Sequence, residues 1–187
     1  MKLPIIAYGD PVLKKKAENI DQNYPNLKDL IANMFDTMYN ANGVGIAAPQ
    51  VGLSIRLFIV DITDKEEPEY KDFKKVFLNA QIIEETGELW DFNEGCLSIP
   101  DIREDIKRKE KVTISYYDEN WQHHEETFEG MAARVIQHEY DHIEGKLFTD
   151  KLGPLRRAMI KSKLDAISKG AVKVSYRMKF PSAVKKR

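Results

Sequence analysis

The stretch QHEYDH, residues 137–142, places His138 and His142 four positions apart, with Glu139 directly after the first. On a helix, positions i and i+4 stack on one face. Both imidazoles then reach one metal ion, and Glu139 stands beside it. Two histidines leave a catalytic site one ligand short. The longer pattern HExxHxxGxxH continues through Gly145 but ends on Phe148, and no glutamate follows Glu144. Asp150 lies too close to the motif, and Asp165 lies in a basic amphipathic segment. His123 and His124 compete as ligands, but adjacent strand residues point to opposite faces, which suits solvent-facing hairpin positions better. Upstream, NEGCLSIP (93–100) carries Cys96, the chain's one cysteine, in what reads as an open, Gly-bearing loop beside Glu94. A thiolate with two imidazoles makes a tetrahedral set whose fourth position is left for water. A lone cysteine often serves as a small buried hydrophobe, but Gly95 and Glu94 favour a reachable sulfur. Cys96 is therefore the favoured third ligand.

A second stretch, GVGIAAPQVG (43–52), contains Gly-x-Gly-x-x-Ala. A dinucleotide loop needs a strand before it and a helix after it, whereas here a helix precedes and Pro49 soon follows. Two readings stay open. One is a helix stop followed by a turn. The other is a loop whose glycines let a substrate backbone lie close, with Gln50 offering its amide to a carbonyl oxygen.

These residues need a scaffold. Leu27, Leu30, Ile31, Met34, Phe35 and Met38 recur at helical spacing over 26–43, with Asn26 as the expected N-cap and Gly43 as the stop. Residues 56–62, 76–85 and 111–118 read as strands, and a turn at Asp118-Glu119-Asn120 leads into a further strand, WQHHEETF. The charged, Pro-interrupted segment 64–75 reads as an exposed loop. A helix over 131–143 carries the histidines and ends at Gly145, and a last amphipathic helix spans 155–168. The expected fold is a single α+β domain over 1–170, with antiparallel or mixed strands around the central HExxH helix and helices toward both termini. Residues 171–187 are expected to form a basic, flexible extension.

The chain has 187 residues and a formal net charge of −1. That near-neutrality hides an asymmetry: residues 151–187 hold 12 Lys/Arg and one acid, and the remainder holds 17 basic and 29 acidic side chains. Arg156, Arg157, Lys161 and Lys163, followed by Lys185-Lys186-Arg187, form a candidate phosphate-binding footprint. No apolar run approaches the ~20 residues of a membrane span, and the N-terminus carries no signal-peptide pattern. One cysteine excludes an internal disulfide framework, which fits a cytoplasmic setting.

Taken together, GVGIAAPQ, EGCLS and QHEYDH, in this order and at these separations, resemble the peptide deformylases, of the bacterial type that ends in a helix. The resemblance spans residues 43–142 through its motifs and most of the chain through its elements. It implies a hydrolase that removes the formyl group from the N-terminal methionine of nascent chains. It assigns Cys96, His138 and His142 to the metal, Glu139 to proton transfer, and Gln50 with the Leu97 N–H to the oxyanion. Gly43, Val44, Gly45 and Gly95 are then to run beside the substrate backbone, and Val44 and Val135 are to line the methionine pocket. The implied metal is Fe2+, with Zn2+, Ni2+ or Co2+ as substitutes, since the three ligands suit all four. The basic C-terminal helix and tail add the ribosome as an expected partner beyond the nascent peptide. Two rivals remain: an HExxH-type metal peptidase, for which the downstream ligand search is unfavourable, and a ribosome-bound module with a structural zinc, which has no need of Glu139.

Overall fold

The run Leu57–Asp61 is buried along its entire length, and it is the strand to which the two main helices attach. In a computed structural model that describes residues 1–181, Leu57 and Ile59 face Ile31, Met34 and Met38 of one helix, while Phe58 and Val60 face Ala133, Val135 and Ile136 of another. A strand covered on both sides has no polar face, which is why it reads as a continuous apolar run. Each fully buried Leu, Ile, Val or Phe contributes about 1.5–3 kcal/mol. We label the elements β1 (Ile5–Ile6), α1 (Leu27–Asn40), β2 (Gly45–Ala47), β3 (Leu57–Asp61), β4 (Lys74–Cys96), β5 (Ile99–Tyr117), β6 (His123–Glu129), α2 (Gly130–Ile143), α3 (Pro154–Ser168) and β7 (Met178–Lys179).

Strands β2 to β6 form one antiparallel sheet in the order β2-β3-β4-β5-β6. A separate parallel pair joins β1 to β7, with Ile5 opposite Met178. The α+β class with helices toward both termini is thus borne out. No helix among the described residues is long and apolar enough to cross a membrane.

Several local expectations are corrected. Strands β4 and β5 run far beyond the expected 76–85 and 111–118, so the Gly-bearing stretch around Cys96 is the end of a long hairpin rather than an open loop. On β5 the inward positions are Ile102, Glu104, Ile106 and Arg108, all buried. Two charged residues among them break the apolar alternation that marks a strand. Asn26 precedes α1 in the left-handed region and makes no side-chain cap. At the other end Asn42 takes the left-handed conformation expected of Gly43, whose N–H closes the turn onto the Met38 carbonyl at 2.9 Å. The exposed loop ends at Phe73, before β4 begins. Within it Tyr70 is buried, and its hydroxyl accepts the Met131 N–H at 3.1 Å. Residues 171–181 are no loose extension: Val172, Met178 and Phe180 pack on the core beside α3, and Tyr176 and Met178 pack on the core beside α1. Lys185, Lys186 and Arg187 lie outside the described residues.

Candidate metal centre and cleft

Helix α2 presents His138 and His142 on one face, as their spacing requires, and the end of β4 delivers Cys96 to them. The donor atoms of the three residues all lie within 4.8 Å of one another. Cys96 Sγ is 3.4 Å from His142 Nε2, and the two imidazole rings are 5.2 Å apart, centre to centre. His138 Nδ1 is 2.9 Å from Glu94 Oε2, which leaves its Nε2 for a ligand. Burial, with the charges of His138 and Arg108, pushes the His142 pKa well below its ordinary value. That imidazole is therefore neutral, the form that binds a metal. Burial opposes charge on His138 as well, but Cys96, Glu94 and Glu139 outweigh it and push its pKa up, so a metal displaces a proton on binding there. His142 Nδ1 and Glu139 Oε2 are buried without a hydrogen-bond partner among the described residues. Donor types, spacing and the unpartnered Glu139 oxygen fit a metal ion with a water beside it.

Glu139 lies on the floor of a cleft of about 640 Å³ that also receives Gln50, Val44 and Val135. Burial pushes its carboxyl up to about 7, with Glu94 and Asp141 adding to the rise and His138 and Arg108 opposing it. Its side chain lies flat on Gly45, where a Cβ would sit 2.6 Å from Oε1. Gly45 is thus required by the chain's own carboxylate. A Cβ on Gly43 would likewise meet Leu97 Cδ1 at 2.8 Å, and one on Gly95 would meet the Arg103 guanidinium at 2.7 Å. Gln50 is held by its own loop: its Oε1 accepts the Ala47 N–H at 2.8 Å, while Nε2 reaches Cys96 Sγ at 3.5 Å and Ser98 Oγ at 3.3 Å. Among the described residues the Leu97 N–H has no acceptor. All the expected site residues but His142 line one cleft, and His142 joins them through the ligand triangle. His123 and His124 do not: they hydrogen-bond to Ser115 and Asp118 on the β5–β6 hairpin.

Sequence reasoning missed the support beneath the ligands. Glu94, 4% exposed, accepts from Arg108 Nε at 2.7 Å and Nη2 at 3.0 Å, and from Arg134 Nη1 at 2.9 Å. Burial pushes the Glu94 carboxyl up, but His138 and Arg108 prevail and hold it well below the ordinary carboxylate range. Arg108 also donates to Asp141 at 2.7 Å, and Arg134 lies 4.3 Å over the Trp90 ring. The available signal was Arg134 itself, a charge within an apolar helix and four residues before His138, hence on the same face.

Because two imidazoles alone make a poor site, Cys96→Ala is expected to lose most of its bound metal. Elemental analysis of the purified variant checks this, and full occupancy would place the third ligand elsewhere.

Comparison with known proteins agrees with this geometry. The polypeptide deformylase family profile matches residues 2–158. A peptide deformylase of Christiangramia forsetii is 61% identical, with the match covering 100% of each chain. The crystal structure of a peptide deformylase from Legionella pneumophila aligns with a TM-score of 0.80 and 42% identity, covering 92% of this chain and 99% of that one. A class I type b peptide deformylase of Acinetobacter baumannii, solved with Met-Ala-Ser bound, aligns at 0.74 and 37% identity over 81% of this chain and 99% of its own. A Cys-His-His triangle with a buried glutamate beside it, set in a chain matched from end to end by such relatives, makes this protein an enzyme of the polypeptide deformylase family.

Proposed function

We propose that the cleft hydrolyses the formyl group from N-formylmethionyl ends of newly made chains, releasing formate and a free methionine amine. The observation that carries this is Glu139, buried against the Cys96–His138–His142 triangle with one carboxylate oxygen unpartnered. Cys96, His138 and His142 would hold a divalent metal, which would supply Lewis acidity and make a water nucleophile available near neutral pH. Glu139 takes a proton from the attacking water and delivers it to the leaving amine nitrogen. Gln50 Nε2 and the Leu97 N–H donate to the carbonyl oxygen as charge develops on it. Strand β2 is an edge of its sheet, so its free backbone groups can pair with an extended peptide beside Val44 and Gly45. Val44 and Val135 give the methionine side chain apolar walls. The related enzyme that holds Met-Ala-Ser supports this substrate class. The test is formate release from formyl-Met-Ala-Ser by metal-replete protein. Internal cleavage of the peptide without formate would instead make it a peptidase.

The proposed working metal is ferrous iron, although zinc binds more tightly in the general order of affinities. Iron-loaded enzyme is expected to lose activity in air, faster with peroxide, through oxidation of the metal and then of the Cys96 thiolate. Nickel-loaded enzyme should last longer, and equal lifetimes would refute the choice of iron.

We place the enzyme in the cytoplasm, near ribosomes, but the cationic footprint is smaller than the charge count suggests. Arg156 is committed to Glu104, with bonds of 2.7 and 2.8 Å, and Arg157 donates to the carbonyls of Asp150 and Leu152. Lys161 and Lys163 remain exposed, on a helix that also exposes Leu155 and Met159. Lys161→Glu with Lys163→Glu is expected to weaken ribosome co-sedimentation and to lower the log–log salt slope by about 1 per lysine, with tripeptide turnover unchanged. Unaltered co-sedimentation would remove this helix from the proposal.

A further inference from the structure

The stretch that follows α3 returns to the cleft. Lys173, Val174, Ser175 and Tyr176 line it together with Cys96 and Leu97. The stretch is held at both ends. Gly170 turns the chain with φ 72, and a Cβ there would sit 3.2 Å from the Phe180 ring. Beyond it, Ile5 N–H donates to the Arg177 carbonyl and Ala7 N–H to the Lys179 carbonyl, both at 2.9 Å. Between these anchors Val172, Val174 and Tyr176 are half-buried, while Lys173 and Ser175 are exposed.

Tyr176 makes the one polar contact from this stretch to the site: its hydroxyl donates to the Leu97 carbonyl at 2.8 Å. Burial, with Cys96 and Asp101 nearby, pushes the phenol up to about 12, so it remains a donor at neutral pH. The next carbonyl, Ser98 O, accepts the Tyr8 N–H at 2.9 Å. The peptide unit that carries the Leu97 N–H therefore lies between two fixed points, Cys96 in the ligand triangle and the Leu97 carbonyl under Tyr176.

We propose that residues 173–176 form a wall of the substrate cleft and that Tyr176 is a positioning residue, holding the Leu97 carbonyl so that the adjacent Leu97 N–H is aimed at the substrate's carbonyl oxygen. The proposal rests on the deformylase reading of the site. A donor that meets charge only as it develops stabilises the transition state more than the bound substrate. Its misplacement lowers kcat and leaves KM nearly unchanged.

The experiment measures formate release from formyl-Met-Ala-Ser, with metal content determined on each sample. Losing an oxyanion donor outright costs about 10²–10³ in kcat, so loosening one through Tyr176→Phe is expected to cost about 10-fold, with KM and metal content unchanged. A wild-type kcat in Tyr176→Phe overturns the positioning role, as does a loss matched by lost metal or confined to KM. For the wall, Ser175→Trp places a bulky ring on the cleft side and is expected to raise KM severalfold at constant kcat. An unchanged KM overturns that part. Failure of metal-replete wild type to release formate overturns the functional reading itself, a result distinguishable from any behaviour of the variants.

Discussion

Glu139→Gln is expected to retain its metal and lose roughly 10²–10⁴-fold in turnover, the usual contribution of a positioned acid–base group. The amide keeps the shape of the carboxylate, so it still fits over Gly45, where the space is too small for even one added methyl. What it cannot do is accept the proton of the attacking water. Folding should not suffer. Burying a carboxylate carries a desolvation cost, visible in the rise of its pKa to about 7, and the neutral amide avoids that cost. The variant should therefore match or exceed the wild type in thermal stability while being almost inactive. Metal analysis, formate release and a melting curve on one preparation check all three points. Near-wild-type turnover with full metal would remove Glu139 from the chemistry.

Glu94→Gln is expected to fail in a different way. The carboxylate sits between Arg108 and Arg134, both almost fully buried, and it also orients His138. Removing one charge from such a cluster leaves guanidinium groups without their counter-ion, which typically costs about 3–5 kcal/mol. For a chain of this size each kcal/mol lowers Tm by roughly 2–4 °C, so a fall on the order of 10 °C is expected. Arg108 keeps Asp141, and Arg134 keeps the carbonyls of Ile106 and Trp90, which limits the loss. Groups that orient a ligand histidine usually affect metal affinity by about 10–100-fold. A Glu94→Gln protein with wild-type Tm and wild-type metal affinity would show that the cluster supports neither fold nor site.

The two variants also show what could be read from the chain in advance. His138, Glu139 and His142 were legible because helical periodicity alone puts them on one face, and Cys96 because few other ligands exist. Strand β3 was legible from its unbroken apolar run. The ends of β4 and β5 were not, because Glu94, Glu104 and Arg108 occupy inward positions where apolar residues are expected. Glu94 and Arg108 pair with each other, and the rest of what balances their burial comes from Arg134, His138, Arg156 and Asp141 on α2 and α3. No local pattern reports a partner that distant. The glycines had a further meaning: Gly45 and Gly43 are small because Glu139 and Leu97 lie on them, a fact of tertiary packing. The docked tail was hidden for a similar reason. Its apolar residues alternate correctly from Val172 to Phe180, but the basic residues between them resemble a solvated end, and its partner strand lies at the opposite terminus.

That pairing of β1 with β7 has a consequence for the birth of the protein. Ile5 and Met178 lie far apart along the chain, so their ribbon closes only after everything between them has been synthesised. Contacts this far apart in sequence form late, because the intervening chain must be ordered first. The Leu97 carbonyl gains its Tyr176 contact only at that stage. An enzyme whose proposed substrates are chains still in the making thus completes its own cleft only once Tyr176 has been made, and a copy cut short of it has an unfinished wall.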